Sequence, residues 1–304
     1  MDQAGSFFAS IYAPRPISTP VFVAQDHPLT KTQHANALAT LYRDKSTRAT
    51  GAPVMVLPPV PQADYPPLTR GELLQAISEL NNGTAPGEDN IYCEELKEMG
   101  RVGHAMLLRL FNRSLRSGKV PKQWRRGIII PLLKPNKPAS DLSSFRPVTL
   151  TSTLCKLMER MIARRLRDAV EHKLQPQQSG FRQQHSTLDT LAMVIAALRR
   201  DDPEERTAAV FIDYARAFDS VDHGCIMQAL QSFGISPVLQ RWIGSFLGGR
   251  TARVRVNNTY SRDVKLTCGV PQGSVLGPLL FIIAIDSLSV RLNAIPNLAH
   301  GFFA

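Results

Sequence analysis

The chain has 304 residues, with 36 Lys plus Arg against 25 Asp plus Glu for a net charge of +11, and it is 43% apolar and 20% charged. At about 100 to 200 residues per domain this is one large domain or two modest ones, and the composition excludes a disordered or collagenous chain. The longest apolar run, residues 279–285, is far short of the roughly 20 residues of a membrane-spanning helix. The opening MDQAGSFFAS has neither a basic start with an apolar core nor an Arg-rich amphipathic pattern. The expectation is an intracellular protein, nuclear or cytoplasmic, without a signal peptide or membrane segment.

In chain order, residues 1–67 hold 10 of the 22 prolines, including VLPPVPQADYPP, and are expected to be a loose, poorly ordered arm or linker. Thr69 and Glu72 then stand at capping-box spacing ahead of Leu73, Leu74, Ile77 and Leu80, which predicts a short helix stopped by Asn81, Asn82 and Gly83. A second helix is predicted over 94–117, with Met106, Leu107, Leu110 and Phe111 inward and Gly118 ending it. Residues 128–133 read as a strand near a sheet edge, because Pro131 interrupts them. Leu154, Leu157, Met158, Met161, Ile162, Leu166 and Ala169 predict a helix over 151–170 with Lys156, Arg160, Arg164, Arg165 and Arg167 outward. Ser186 or Thr187 caps another, with Leu188, Leu191, Ile195 and Leu198 inward. The apolar run 208–212 reads as a strand buried on both faces and ending in Asp213. Capped helices follow over 222–233 and 236–247, then a hairpin in which Arg and Val alternate, giving one wet, basic face. No internal repeat is present, and the class is α+β.

The charge is concentrated. Residues 112–167 carry 14 Lys or Arg and two acids, Asp141 and Glu159. Self-repulsion on that scale favours a nucleic acid partner over a solvated face. Cys93, Cys155, Cys225 and Cys268 are widely spaced and the His are scattered, so disulfide scaffolds and zinc modules drop out, and no zinc-protease, serine-hydrolase or P-loop string occurs. Two constellations remain. Asp213, Asp219 and Asp222 could hold a hard divalent cation or merely cap helices. The glycines of CGVPQGSVLGPLLFIIAI, ahead of an apolar helix, could admit a ligand to the backbone or simply turn a tight loop.

Five blocks in order, LNNGTAPGEDNI, WRRGIIIPLLKPNK, SSFRPVTLTSTLCKLMERMIARRL, VFIDYARAFDSVDH and VPQGSVLGPLLF, resemble motifs 0, 1, 2, A and B of the reverse transcriptase of a non-LTR (LINE-type) retrotransposon. The likeness spans residues 69–304, and its wording is most similar to trypanosome-type elements. The resemblance implies a right-hand polymerase with fingers and palm over 68–304, copying an RNA template from a DNA or RNA primer with dNTPs and two Mg²⁺ ions. It implies Asp213 as a catalytic metal ligand, with the Tyr214 carbonyl beside it. Phe218 would be the steric gate against a ribose 2′-hydroxyl, and Gln272 and Gly273 would lie at the incoming nucleotide. Lys134 and Arg146 would grip its triphosphate, while Gly180, Phe181 and Arg182 would contact template.

The family continues from GFFA, or a close variant, into an aspartate pair, so this chain, ending at Phe303 and Ala304, is expected to carry fingers and an incomplete palm, to lack the thumb, and to be inactive by itself. A group II intron maturase-type reverse transcriptase and a non-catalytic nucleic-acid-binding remnant are the alternatives.

Overall fold

The computed structural model describes residues 30–48, 51–59, 65–198, 208–214 and 216–303. The arm expected over 1–67 lies outside the described residues at 1–29, 49–50 and 60–64, but in its middle the structure differs from that reading. Helix α1 (Lys31–Lys45) starts at a capping box made by Thr30 and Gln33 and buries Ala35, Leu38, Ala39 and Tyr42 against a sheet. Those residues recur at three and four, so one face of a helix is apolar even though prolines crowd the segments on either side.

The sheet is built from β1 (Arg126–Leu133), β2 (Phe145–Leu150), β3 (Arg250–Val256), β4 (Thr259–Tyr260) and β5 (Val264–Leu266), in the order β2-β1-β3-β4 with β5 also on β3. The β1–β3 pair is parallel and the others antiparallel. Strand β1 is therefore central, not at an edge. Its pairing with β3 stops at Ile129, however, so Pro131 sits where the strand has one neighbour and its missing N–H costs no ladder bond. Alternation on β3 is as predicted: Ala252, Val254 and Val256 are buried, while Thr251, Arg253 and Arg255 are half-buried. One sheet face, carrying Ile129, Phe145, Ala252, Val254 and Val264, packs on α1.

A larger helical core holds α2 (Arg70–Ser78), α3 (Cys93–Glu98), α4 (Arg101–Ser117), α5 (Thr153–Val170), α8 (His223–Ser232), α9 (Pro237–Leu247) and α10 (Gly277–Asn293). Helix α6 (Thr187–Leu198) and the one-turn α7 (Ala217–Ser220) complete the set. Helix α5 begins at Ser152, whose hydroxyl accepts from Cys155 N–H, and its predicted inner face is buried from Leu157 to Leu166. The single helix predicted over 94–117 is two, broken where Met99 is extended and Gly100 caps α4. The buried stripe of α4 is also rotated, through His104, Leu107, Phe111 and Leu115, which leaves Met106 and Leu110 exposed.

Two expectations of burial fail. Leu188, Leu191, Ile195 and Leu198 of α6 are exposed, because no described element covers that face. Residues 208–214 form no helix or strand and join no described sheet, and Val210, Phe211 and Ile212 are 76 to 84% exposed. A strand is buried only when neighbours occupy its edges and faces, and the described strands pair among themselves.

Candidate nucleotide-binding site

The loop between β5 and α10 is held from four sides. Gly269 N–H donates to Val221 O and Val270 N–H to Phe218 O, both at 2.8 Å. His223, buried on α8, donates Nε2–H to Gly269 O at 2.8 Å. Thr149 of β2 donates its N–H to Gln272 O at 2.8 Å. At the start of α10, Glu159 Oε2 accepts from Val275 N–H (2.8 Å) and Leu276 N–H (3.1 Å), while Ser274 Oγ accepts from Gly277 N–H at 3.0 Å.

The loop glycines are explained by these contacts. Gly269 sits at φ +80°, and a Cβ there would lie 2.5 Å from Asp219 O. Gly273 sits at φ +116°, where a Cβ would lie 2.7 Å from Thr149 O. The close approach they permit is to the protein's own backbone, as the tight-loop reading had it.

Gln272 Nε2 donates to Asp219 Oδ1 at 2.9 Å. Burial pushes the Asp219 carboxyl above its ordinary value, against the Gln272 hydrogen bond and the charges of Lys45, Arg216 and Lys134. Immediately before Asp219, the Phe218 ring lies 5.0 Å from Phe281 and 5.7 Å, edge-on, from Phe181. A cavity of about 40 Å³ opens here, lined by Tyr42, Lys45, Thr149, Asp219, His223 and Gln272 among others. The structure thus brings Phe181, Phe218, Gln272, Gly273 and Lys134 to one region.

Other predicted site residues lie elsewhere. Asp213 and Tyr214 are exposed on the irregular segment 208–214, so Asp213 is not an acid on a buried strand, and no described residue pairs with it. Arg146 is exposed on β2. Its neighbours Phe145 and Pro147 face α1 and the cavity, so by alternation Arg146 points to the opposite face. Arg182 turns its guanidinium onto its own loop, pairing with Glu171 at 2.8 Å and donating to the carbonyls of Glu171, Gln175 and Gln178. Gly180 is buried, and its carbonyl accepts from Gln178 Nε2.

The three acids do not converge either. Asp222 caps α8 by accepting from Gly224 N–H and pairs with Arg48 at 3.2 Å, while Asp219 is engaged by Gln272. Among the described residues no group of three His, Cys, Asp or Glu could hold a metal ion. Sequence reasoning missed Tyr42, Lys45, Glu159 and His223. Only the first two had a signal, the apolar repeat of α1 that ends beside them.

The basic surface is smaller than the count suggested. Arg126 pairs with Glu88 and Asp263, Arg160 and Arg164 with Glu79, and Arg165 with Glu72. Ten of the 14 cations in 112–167 make no ion pair with a described residue. On the hairpin, Arg253 pairs with Glu88 and stacks on Tyr260.

Residues 133–304 match the family described as reverse transcriptase (RNA-dependent DNA polymerase). The chain belongs to that family. It is 37% identical over 237 residues to a "Probable RNA-directed DNA polymerase from transposon BS" of Drosophila melanogaster, covering 77% of this chain and 26% of that protein. It is 35% identical over 238 residues to the "RNA-directed DNA polymerase from mobile element jockey" of Drosophila funebris, with the same two shares. A polyprotein from the retrotransposable element R2 of Popillia japonica is 30% identical over 236 residues, 77% of this chain and 32% of that one. These are non-LTR elements of insects, where the wording of the blocks had pointed to trypanosome-type ones. The chain spans about a quarter of the length of the first two of these relatives. Among the described residues no helix is long and apolar enough to cross a membrane.

Proposed function

We propose that this chain carries the nucleotide-selecting part of an RNA-directed DNA polymerase, which binds an RNA template with its primer and admits dNTPs for transfer onto a primer 3′-hydroxyl. The observation that carries the reading is the placement of Phe218, its ring packed between Phe181 and Phe281 and its carbonyl accepting from the loop that bears Gln272. A ring fixed on both sides excludes a ribose 2′-hydroxyl by bulk alone, because it has no room to swing away. The family works with two divalent cations, which would polarise the attacking hydroxyl and neutralise the phosphoryl group. The described residues do not make up that site. Unlike Asp219 and Asp222, Asp213 has no partner among the described residues. On this reading residues 68–304, with α1 added, form the polymerase domain, and the 304-residue chain does not extend a primer unaided.

The test is binding of poly(rA)·oligo(dT) and of dTTP against UTP. The expected outcome is a primer-template complex that weakens steeply with salt and a preference for dTTP that narrows in Phe218→Val. Equal affinity for dTTP and UTP in the unaltered chain would sink the reading. Mg²⁺-dependent primer extension by the purified chain would refute the proposed inactivity. A nucleic-acid-binding remnant without nucleotide selection would bind primer-template and ignore both nucleotides.

A further inference from the structure

Helix α1 lies upstream of the matched stretch 133–304, yet its last turn enters the cavity beside Asp219 and Gln272. Its position is fixed by direct bonds. Ser46 Oγ donates to Cys268 O at 2.5 Å, and Ser46 O accepts from Thr267 N–H, Cys268 N–H and Thr267 Oγ1–H. Lys45, half-buried, holds its Nζ 5.6 Å from the centre of the Tyr42 ring and makes no ion pair with a described residue. Two further cations, Arg216 and Lys134, act on the same ammonium. The acids that face it, Asp219 and Asp141, are already engaged, one by Gln272 and the other by the N–H and hydroxyl of Ser143. Burial and the neighbouring cations weaken the Lys45 ammonium relative to its ordinary state, so the site gains from an added anion.

A second observation points the same way. The Tyr42 hydroxyl, on a residue 3% exposed that lines the same cavity, has no hydrogen-bond partner among the described residues. Buried hydroxyls nearly always have one, and a phosphate oxygen or its bound water would supply it.

We infer that Lys45, with Arg216 and Lys134, forms a seat for the polyphosphate of the incoming nucleotide, so that a helix ahead of the matched stretch takes part in substrate binding. The inference rests on the polymerase reading for the identity of the ligand. The seat itself rests on the cavity that Tyr42 and Lys45 line and on the unpartnered Tyr42 hydroxyl within it. Lys suits it because a compact ammonium on a flexible stem can follow a phosphate chain into a half-buried pocket.

The experiment is calorimetric titration of the 304-residue chain with dTTP and, separately, with inorganic tripolyphosphate. Lys45→Gln is expected to weaken both by about tenfold, the size of one charge-assisted contact. Lys45→Arg should restore most of the loss, and Lys119→Gln, an exposed cation on another part of the chain, should stay within about twofold of the unaltered chain. Circular dichroism and melting temperature check that Lys45→Gln remains folded. If Lys45→Gln binds both ligands as tightly as the unaltered chain, the seat is overturned and the polymerase reading is untouched. Tripolyphosphate bound through Lys45 without any binding of dTTP keeps the seat and removes the polymerase reading. An unaltered chain that binds neither ligand overturns the seat.

Discussion

Removing the Glu159 carboxylate tests whether a single buried side chain holds the loop of the candidate site. Glu159 is fully buried in the middle of α5, and one of its oxygens accepts both Val275 N–H and Leu276 N–H at the start of α10. In Glu159→Ala those two amides are left buried and unpaired, at about 1 to 3 kcal/mol each. A small cavity and the isolated charge of buried Arg250 add to this, so a loss of about 3 kcal/mol, or roughly 6 to 12 °C in Tm, is expected. Glu159→Gln keeps an acceptor oxygen at the same place and should lose about a third of that. The two variants also differ from the unaltered chain in their response to pH. Burial pushes the Glu159 carboxyl above its ordinary value of 4.5, against the Leu276 amide, the Arg250 charge and the Val275 amide. The native state therefore holds this proton more tightly than the unfolded chain. Relative to Glu159→Gln, the unaltered chain should be most stable below the ordinary carboxylate value and lose that advantage as pH rises through the raised one. Urea unfolding of the three proteins between about pH 4 and 8 measures both effects. An alanine variant as stable as the unaltered chain would refute the clamp, and a glutamine difference that does not move with pH would refute the burial of its charge.

Gly87→Ala should destabilise the chain by about 1 to 3 kcal/mol or more in urea, because a Cβ there would lie 2.5 Å from the carbonyl carbon of Thr151 and 2.7 Å from Ser152 N. Arg165→Ala should cost about 2 kcal/mol near neutral pH, since its guanidinium bonds Glu72 and the carbonyls of Pro66 and Pro67. Burial raises the Glu72 carboxyl, but hydrogen bonds from Arg165 and Thr69 outweigh it and hold the group below its ordinary value. The gap between Arg165→Ala and the unaltered chain is therefore present above the ordinary carboxylate value and closes as pH falls through the depressed one, as acid titration of unfolding will show. In filter binding of poly(rA)·oligo(dT) over a KCl series, Arg146→Gln, which removes an exposed cation with no ion pair among the described residues, should shallow the salt dependence by about one unit of slope. Arg164→Gln, which removes a partner of Glu79, should leave the slope unchanged.

What could be read from the chain depended on whether a segment's environment is local. Helix α5 was legible because its apolar residues recur through five turns and its cap, Ser152, adjoins them. Helices α2, α8 and α9 were legible for the same reason, each with its capping residue in view. Helix α1 was missed because prolines on both sides dominate any window wide enough to count them, although Ala35, Leu38, Ala39 and Tyr42 carry the period. Burial of residues 208–212 was misjudged because an apolar run shows what a strand could bury, and its neighbours are set by topology. The charge count overshot for a similar reason. The acids that pair with Arg126, Arg160, Arg164 and Arg165 lie at positions 72, 79, 88 and 263, outside the window in which the excess was counted.

At the candidate site, the wording GVPQGSVLG is first a folding instruction. Gly269 is required by the carbonyl of Asp219 and Gly273 by that of Thr149, while Ser274 caps the turn into α10 and the amides of Val275 and Leu276 close on Glu159. Gln272 is the residue whose side chain reaches out of the loop, to Asp219. Because the loop's backbone is gripped by β2, α5 and α8, the Gln272 amide is delivered to that carboxylate without a search through loop conformations, a preorganisation of the kind binding sites use. It follows that a substitution at Gln272 also uncovers Asp219, whose half-buried carboxylate would then face Lys45, Arg216 and Lys134 alone. On the proposed reading, the effect on nucleotide binding would reach the Lys45 seat through that acid, as well as whatever lies beside the missing amide.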